Sequence, residues 1–280
     1  MCYYLNINEF YPFSAMIIDS HVHISIYQDN ARSLPESFSL LLAEMKKNGV
    51  EAAIIIPDNI EKGDSIADLD QAIELIGQPD NLFLLGSPQI IQRGSSELEK
   101  YRALLKSGKI KGLKFFPGHD PYFPNDKRCQ PYYELCEQLG VPVLFHTGEN
   151  SGDSACARWN DPKYIVAMAK KYPRLKFIIT HYYWPKLDYC YEITKDVPNI
   201  YFELAALADT EVVGKSGGLE KIREILLKTI KDRPGQVIFG TDWPMGRIED
   251  HIRLVKSLNL SQETEEMIFS KNSKSVYNLD

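Results

Sequence analysis

Eight short apolar runs, each followed by a segment of helical periodicity, constrain the fold of this chain more than any other feature. The runs are rich in Ile, Val, Leu and Phe, and Gly, Pro, Asn or Asp stands near their ends. Strands of a parallel sheet that is buried on both faces have such continuous apolar sequences. The predicted strands are Met16–Ser20, Ala52–Ile56, Leu82–Gly86, Gly112–Phe116, Pro142–Phe145, Lys176–Thr180, Ile200–Glu203 and Val237–Thr241.

The intervening segments have the spacing and end signals of helices. Several end at a Gly, which commonly terminates a helix, and Ser96 and Glu99 have the spacing of a capping box. The predicted helices are Phe38–Lys47, Ser65–Ile76, Ser96–Lys106, Pro131–Leu139, Pro162–Lys171, Lys186–Thr194, Leu219–Lys231, Ile248–Leu258 and a closing region Glu263–Tyr277.

Eight strand–helix units predict an α/β fold, a single-domain (β/α)8 TIM barrel, which typically needs about 250 residues. The alternative is an open doubly wound sheet. That fold normally has a Gly-rich phosphate loop after the first strand, where this chain has His21-Val22-His23. We place the barrel at residues 16–280. Because Met16 stands at the start of the first predicted strand, we interpret residues 1–15 as an N-terminal arm or an overextended gene start.

The composition excludes several classes of function. A formal net charge of -6 without a basic cluster argues against a nucleic-acid partner. No apolar run approaches the ~20 residues that span a membrane, and the N-terminus lacks the basic region of a signal peptide. The five cysteines are widely spaced and odd in number, which is typical of reduced thiols. We therefore expect a cytoplasmic protein with a small-molecule substrate and no membrane contact. Assembly into a homo-oligomer is compatible with the sequence.

Polar side chains recur at the carboxyl ends of the predicted strands. Residues two apart on a strand share a face, so His21 and His23 point together while Val22 points into the hydrophobic layer. A hydrogen-bonded core position would explain any one histidine, and a helix N-cap would explain a lone Asp. Their coincidence at one end of a barrel favours a metal site, because burying so many ionisable groups without a cation is costly. The strand-end residues are His21, His23, Lys114, His146, His181 and Asp242.

Imidazole and carboxylate ligands without a thiolate suit Zn²⁺, Mn²⁺, Fe²⁺ or Co²⁺ better than Ca²⁺ or Mg²⁺. We take one zinc ion as the default expectation. Protein ligands that leave a position open for water are typical of a catalytic site rather than a structural one.

Five motifs, in this order, resemble the amidohydrolase superfamily: "IIDSHVHI", "VPVLFHTGE", "YPRLKFIITHYYWP", "VIFGTDWPM" and "NSKSVYNLD". The residues within these motifs are most similar to those of the amidohydrolase-2 branch. This branch contains aminocarboxymuconate-semialdehyde decarboxylase-like enzymes and lactonases. The resemblance covers nearly the whole chain after Met16. It implies a metal-dependent TIM-barrel enzyme, and "FGTDWP" favours the hydrolase and lactonase members.

The resemblance also implies roles for the strand-end residues. His21, His23 and His146 would be metal ligands, and Asp242 would bind the metal and accept a proton from its water. The resulting hydroxide would attack an acyl carbon. His181 would be a catalytic residue that polarises the substrate or shuttles a proton.

Lys114 leaves the number of metals open. Other members of the superfamily carboxylate a lysine on the fourth strand to bridge two ions, and His181 would then become a ligand. Alternatively, Lys114 is a structural or substrate-facing cation, as in the mononuclear branch, and we favour this interpretation with one metal.

Substrate contacts are expected from the loops that follow the strands. A guanidinium near the metal would suit a carboxylate, although a surface position explains each Arg taken alone better than a substrate contact does. Glu203 either faces the site or pairs with a neighbour as a buried carboxylate. The candidate substrate-binding residues are His119, Tyr122, Arg158 and Arg247.

Three functions are consistent with these patterns. The first is a metal-dependent hydrolase that acts on a small lactone, ester or amide bearing a carboxylate. The second is a non-oxidative decarboxylase, or carboxy-lyase, of an unsaturated or aromatic acid on the same metal site. The third is a non-catalytic binding protein on a degenerate barrel, which the retention of every expected chemical group disfavours.

Overall fold

A computed structural model describes residues 16–27, 31–60, 65–77 and 79–279, so the predicted arm at 1–15 lies outside the described residues. All eight predicted strands are present, most of them slightly shorter than expected. They are β1 (Ile17–Val22), β2 (Val50–Ile55), β3 (Leu82–Leu84), β4 (Leu113–Phe115), β5 (Val143–Phe145), β6 (Phe177–Thr180), β7 (Ile200–Glu203) and β8 (Val237–Ile238).

Helices connect successive strands and close the chain, and a π-helical turn, Met267–Lys271, joins the last two of them. They are α1 (Leu34–Asn48), α2 (Leu69–Ile76), α3 (Ile90–Arg93), α4 (Leu98–Lys106), α5 (Gln130–Leu139), α6 (Pro162–Lys171), α7 (Leu187–Thr194), α8 (Thr210–Lys215), α9 (Leu219–Asp232), α10 (Ile248–Ser257), α11 (Gln262–Glu266) and α12 (Asn272–Tyr277).

The predicted capping box at Ser96 and Glu99 is wrong. Helix α4 begins two residues later than expected, and its N-cap residue, Glu97, makes no side-chain capping hydrogen bond. A reciprocal capping box occurs instead at α2, where Asp68 and Gln71 each accept a hydrogen bond from the other's backbone N–H at 2.9 Å.

Two parallel sheets, β1-β2-β3 and β4-β5-β6-β7-β8, close into one barrel. Between β3 and β4, the Gly86 N–H donates to the Gly112 carbonyl at 2.9 Å, and the Lys114 N–H donates to the Gly86 carbonyl at 2.7 Å. Between β8 and β1, the Ser20 N–H donates to the Phe239 carbonyl at 3.0 Å. Because both open edges are joined, the eight strands form a (β/α)8 TIM barrel, and the described chain is a single domain.

A compact apolar cluster fills the barrel interior. Its members come from around the whole barrel, together with residues of the closing helix α12 and its end. Lys176, which precedes β6, donates to the Ser275 carbonyl at 2.7 Å, so α12 covers the amino-terminal end of the strands. The opposite, carboxyl end is left open for a site. The interior residues are Ile18, Ala52, Ile54, Ile56, Leu85, Phe116, Leu144, Ile178, Ile238, Val276, Tyr277 and Leu279.

Strand β1 changes register just before the histidine pair. Ile18 packs in the interior cluster, whereas Val22 packs in the outer core against the helices. Regular alternation would put both on one face, and the pairing of β1 with β2 shifts between Asp19 and Val22. Because the irregularity turns Val22 outward, His21 and His23, on the side opposite Val22, face the interior at the open end of the barrel.

In the described residues, no helix combines the length and apolar character needed to cross a membrane. Four of the five cysteines fall within the described residues, and all four are buried free thiols: Cys129, Cys136, Cys156 and Cys190.

Candidate metal centre

Three side chains from the adjoining ends of β1 and β8 converge on one point. The Nε2 atoms of His21 and His23 lie 3.2 and 3.3 Å from Oδ1 of Asp242. One ligand atom from each of the three residues lies within 4.8 Å of the others. The two histidines are buried, and the Asp242 side chain is 14% exposed. The spacing is that of a chelating set with access from one side.

Asp19 fixes the relative position of the two strand ends. Its Oδ1 accepts hydrogen bonds from the backbone N–H groups of His21 at 3.2 Å and Thr241 at 3.0 Å. Its Oδ2 accepts the Thr241 hydroxyl at 2.6 Å. The Asp242 N–H then donates to the His21 carbonyl at 2.8 Å. These bonds hold the backbone of one candidate ligand against that of another.

Both residues that the sequence assigns to catalysis have left-handed backbone conformations. Asp242 has φ 69°, and His181 has φ 58°, followed by Tyr182 and Tyr183 at 54° and 55°. Such conformations cost an L-residue about 1–2 kcal/mol and persist where the surroundings hold them. After β6 the turn is held in part by the Thr147 hydroxyl, which accepts the Tyr183 N–H at 3.0 Å. The fold therefore maintains a strained backbone at both positions.

The remaining histidines extend the site across the end of the barrel. The ring centroids of His21 and His181 are 5.3 Å apart, and those of His181 and His146 are 5.0 Å apart. His119 lies against His146, with a centroid separation of 4.5 Å. His146 is buried at the end of β5 but is not part of the three-residue cluster. The predicted strand-end histidines thus lie together, and the role of His146 as a ligand stays a prediction.

Hydrogen bonds determine which ring nitrogens of His23 and His181 carry a proton. Nδ1 of His23 lies 2.8 Å from the Ile56 carbonyl, and Nδ1 of His181 lies 3.1 Å from the Ala205 carbonyl. A carbonyl oxygen only accepts, so both Nδ1 atoms carry a proton, and the lone pair of the neutral form of either ring is on Nε2. Lone pairs on Nε2 are what a metal ligand requires.

Unpartnered nitrogens provide a direct test of whether these residues fit a cation. The Nε2 atoms of His21 and His146 are buried and have no hydrogen-bond partner among the described residues. By contrast, the buried His251 uses both nitrogens, with Nδ1 at 2.8 Å from the Arg247 carbonyl and Nε2 accepting the Ala208 N–H at 3.3 Å. Unpaired buried polar atoms are costly. The site residues therefore fit a divalent metal ion.

Burial also sets the charge of these groups. It lowers the pKa of His21 and of His146 well below the ordinary value, and it lowers the pKa of His181 to about 4. These imidazoles are therefore neutral near pH 7, the form that binds metals. Burial likewise lowers the pKa of Lys114 to about 8, opposed by the charge of Glu203. The Lys114 Nζ lies 5.1 Å from the Phe116 ring centroid.

The four candidate substrate residues differ in their positions. His119 lies beside His146, as described above. Tyr122 is 2% exposed, and its hydroxyl accepts the Phe116 N–H at 2.9 Å, so its polar atom is used within its own loop. The Arg247 side chain is 70% exposed and pairs with Glu249 at 3.3 Å. Arg158 is exposed and borders a groove.

This groove has a volume of about 550 Å³ and includes Glu149 and Trp184 in its wall. These residues follow His146 and His181 by three positions, and the Glu149 N–H donates to the Trp184 carbonyl at 3.0 Å. None of the three clustered residues, His21, His23 and Asp242, lines the groove. It therefore lies on the loops after β5 and β6, next to the site rather than over the cluster itself.

Two buried carboxylates complete the surroundings of the site. Glu203, at the end of β7, contacts Nδ1 of His21. Both alternatives given for Glu203 from the sequence therefore hold, since it lies at the site and is paired with a neighbour. Asp19 was not singled out from the sequence. The signal that could have identified it is a carboxylate within an otherwise apolar strand, which needs buried partners.

The fold is a TIM barrel with a candidate metal centre, and a family comparison gives its class. The amidohydrolase family profile Amidohydro_2 matches residues 18–279. The chain belongs to this family. The family is metal-dependent, and the His21, His23 and Asp242 cluster fits a metal. No curated protein matches the sequence.

Solved structures with this fold include enzymes of two reaction types. An uncharacterized TIM-barrel protein from Bordetella bronchiseptica is 21% identical, with a TM-score of 0.74, and the match covers 94% of this chain and 99% of that one. A probable 2-pyrone-4,6-dicarboxylic acid hydrolase from Acinetobacter baumannii is 16% identical (TM-score 0.66; 94% and 99% covered). A 5-carboxyvanillate decarboxylase from Novosphingobium aromaticivorans, complexed with manganese, is 14% identical (TM-score 0.62; 95% and 97% covered). At these identities the likeness shows the shared fold.

Proposed function

We propose that the protein is a metal-dependent hydrolase that cleaves a small lactone, ester or amide bearing a carboxylate. The observation that carries the proposal is the convergence of the His21 and His23 Nε2 atoms on the Asp242 carboxylate. Facing lone pairs at this separation repel one another unless a cation lies between them. Membership of the amidohydrolase family and the hydrolase among the structures of similar fold support the same reaction class.

The proposed roles follow from the positions of the side chains. His21, His23, His146 and Asp242 would hold the ion, which would supply a Lewis acid for the activation of water near neutral pH. Asp242 accepts the proton released as water attacks the acyl carbon. His181, whose Nδ1–H is used by the Ala205 carbonyl, has Nε2 available to take up a proton. This arrangement favours a proton shuttle over polarisation of the substrate.

We propose a single zinc ion for this site, with manganese, iron or cobalt as alternatives. Support for one ion is that the ligand-type side chains within 4.8 Å of one another in the described residues number three, too few to enclose a second metal. Lys114 is then a buried cation of the site rather than a bridge.

The groove beside the site supports a substrate that carries a carboxylate. Its acidic side chains are already paired: Glu149 with Lys215 at 3.2 Å and Asp161 with Lys163 at 3.3 Å. No acidic partner of Arg158 occurs among the described residues, and its guanidinium lies 5.0 Å from the Trp159 ring. A planar cation stacked on an aromatic ring recognises carboxylates well.

Non-oxidative decarboxylation of an unsaturated or aromatic acid is the second candidate. The manganese-complexed decarboxylase of similar fold favours it, since it combines this barrel with a divalent metal and a carboxylate substrate. The two reactions differ in their products, so they can be separated without knowing the substrate in advance.

An assay of products across a panel of lactones, esters and unsaturated acids tests the proposed function. The zinc-loaded protein is incubated with each compound, and both acid release and CO₂ release are measured. We expect acid release from at least one carboxylate-bearing lactone or ester and no CO₂. CO₂ release from an acid would favour the decarboxylase, and the absence of both products would contradict metal-dependent catalysis on this panel.

Replacing Arg158 with Ala tests the carboxylate contact. We expect KM for a carboxylate-bearing substrate to rise about tenfold, equivalent to about 1.4 kcal/mol, with kcat little changed, because the interaction binds substrate and transition state alike. Arg174→Ala is the matched control, since Arg174 is exposed and pairs with Glu137 at 3.7 Å outside the groove. An equal KM in both variants would rule out Arg158 as a substrate ligand.

A further inference from the structure

Glu203 contacts the first histidine of the candidate ligand set at the nitrogen that faces away from Asp242. We propose that Glu203 is a positioning residue that orients the His21 ring so that Nε2 points to Asp242 and to the metal. This inference rests on the proposed metal-dependent function and adds a residue through which the site acts.

The contact leaves one nitrogen of His21 for a metal. Nδ1 is engaged by Oε2 of Glu203, whereas Nε2 has no hydrogen-bond partner among the described residues and lies 3.2 Å from Oδ1 of Asp242. Both side chains are almost fully buried, at 1% and 0% exposure, so water does not compete for the contact. A ligating histidine commonly gives its other nitrogen to a carboxylate or a carbonyl, which fixes the orientation of the ring.

His23 provides an internal comparison. Its Nδ1 lies 2.8 Å from the Ile56 carbonyl, so the backbone orients this ring. Among the described residues, no backbone carbonyl has the same role for His21, because its Nδ1 contacts the Glu203 side chain from β7. A backbone carbonyl therefore orients His23, whereas a side chain orients His21. The partner of His21 can thus be removed by mutation.

Gly240 leaves the space that this contact needs. A Cβ at position 240 would lie 2.9 Å from Cγ of Glu203 and 3.0 Å from Cβ of His21, closer than side chains normally approach. The φ of Gly240 is not in the left-handed region, so space rather than backbone conformation explains the glycine. The absence of a side chain at Gly240 thus makes room for the contact between Glu203 and His21.

Burial raises the pKa of Glu203 well above its ordinary value, and the charge of Lys114 opposes this effect. Lys114 is 1% exposed on β4, and its charge acts on both Glu203 and Asp242. A buried carboxylate needs such compensation. This gives the strand-four lysine a role that does not require a second metal.

The test compares Zn²⁺ affinity in the wild-type protein, Glu203→Gln and Glu203→Leu, measured by calorimetric titration. We expect Glu203→Leu to lose about 10–100-fold in affinity, the usual effect of removing such a partner. Glu203→Gln keeps an oxygen acceptor of the same length without the charge, so its affinity should fall between those of the other two proteins. Thr194→Val, which removes a buried 2.6 Å hydrogen bond at the end of α7, is the control and should bind Zn²⁺ as the wild type does.

A second measurement reports on the contact without any metal. In metal-free protein labelled with ¹⁵N-histidine, the proton between His21 Nδ1 and Glu203 should give a strongly downfield resonance that Glu203→Leu lacks. Gly240→Ala should weaken this resonance and lower Zn²⁺ affinity while Glu203 is still present, which covers the case that Glu203→Leu does not fold.

The outcomes separate this inference from the proposed function. Unchanged Zn²⁺ affinity in both Glu203→Leu and Gly240→Ala, or a wild-type protein without the downfield resonance, would overturn the role of Glu203. Wild-type protein that shows the resonance but binds no divalent metal would instead contradict the proposed function, and with it any role of Glu203 in metal binding.

Discussion

The Asp242→Asn protein is expected to lose about 10²–10⁴-fold in kcat, the usual contribution of a general acid or base. Asn has nearly the shape of Asp, so the φ of 69° and the backbone bond to the His21 carbonyl can be retained. The amide, however, cannot accept a proton from water, and it presents less charge to the histidine Nε2 atoms. The measurement is kcat at saturating Zn²⁺, with the metal content determined in the same sample.

Asp209→Asn is the matched control for this substitution. Asp209 caps α8 by accepting the N–H groups of Glu211 at 2.8 Å and Val212 at 3.3 Å, and Asn caps helices about as well as Asp. Its kcat should therefore equal that of the wild type. An Asp242→Asn protein with full metal content and more than about a tenth of the wild-type kcat would contradict the role of Asp242 as the proton acceptor.

The strands were predictable because a parallel sheet covered on both faces imposes long apolar runs. The predicted ends were less accurate, and β8 shows why. The apolar run continues to Thr241, but the ladder ends at Ile238, because the following backbone bonds to β1 instead. Phe239 accepts a hydrogen bond from Ser20, and the Thr241 N–H bonds to the Asp19 carboxylate. A strand end that bonds to its neighbour through a buried carboxylate as well as through the backbone has no signature in an apolar pattern.

Two short helices were not predicted, α3 and α8. They contain four and six residues, which is too short for an apolar period to repeat. α8 depends on its N-cap, Asp209, and α3 has no side-chain cap at all. Tertiary position therefore determines α3, whereas α8 depends on a local cap that no apolar repeat accompanies.

The main members of the site were predictable because the carboxyl ends of parallel strands meet at one end of a barrel. The partners that orient them were not. Asp19 bonds to Thr241 across 222 positions, and Glu203 contacts His21 across 182. Such pairs depend on the register and on the β1 irregularity, which a single sequence does not reveal.

The loop residues were the hardest to interpret. Tyr122 and Arg158 are equally plausible substrate contacts in the sequence, since each lies in a polar loop after a strand. In the structure, the Tyr122 hydroxyl turns back to the Phe116 N–H, whereas the guanidinium of Arg158 remains exposed on the groove. The two residues differ in whether the side chain is used to hydrogen-bond the backbone of its own loop. No periodic pattern in the sequence encodes this difference.

The His23→Ala protein is expected to lose more than about 100-fold in Zn²⁺ affinity, because loss of an orienting partner alone costs about 10–100-fold. The substitution removes an Nε2 atom that lies 3.3 Å from Oδ1 of Asp242 and leaves the Ile56 carbonyl without its donor. Binding that is specific to the folded state stabilises it by about 2.7 kcal/mol at a ligand concentration of 100 Kd. The wild type should therefore melt at a higher temperature when Zn²⁺ is added, and His23→Ala should show no such shift at the same concentration.

His251→Ala separates loss of a ligand from loss of a buried histidine. His251 is as buried as His23, but both of its nitrogens bond to backbone groups, so its removal should lower the melting temperature with and without Zn²⁺. The difference between the two conditions should match that of the wild type. An equal Zn²⁺ shift in His23→Ala and His251→Ala would mean that the ion binds elsewhere. Because the shift is measured within each protein, general destabilisation cancels, and the result depends on whether His21, His23 and Asp242 hold the metal.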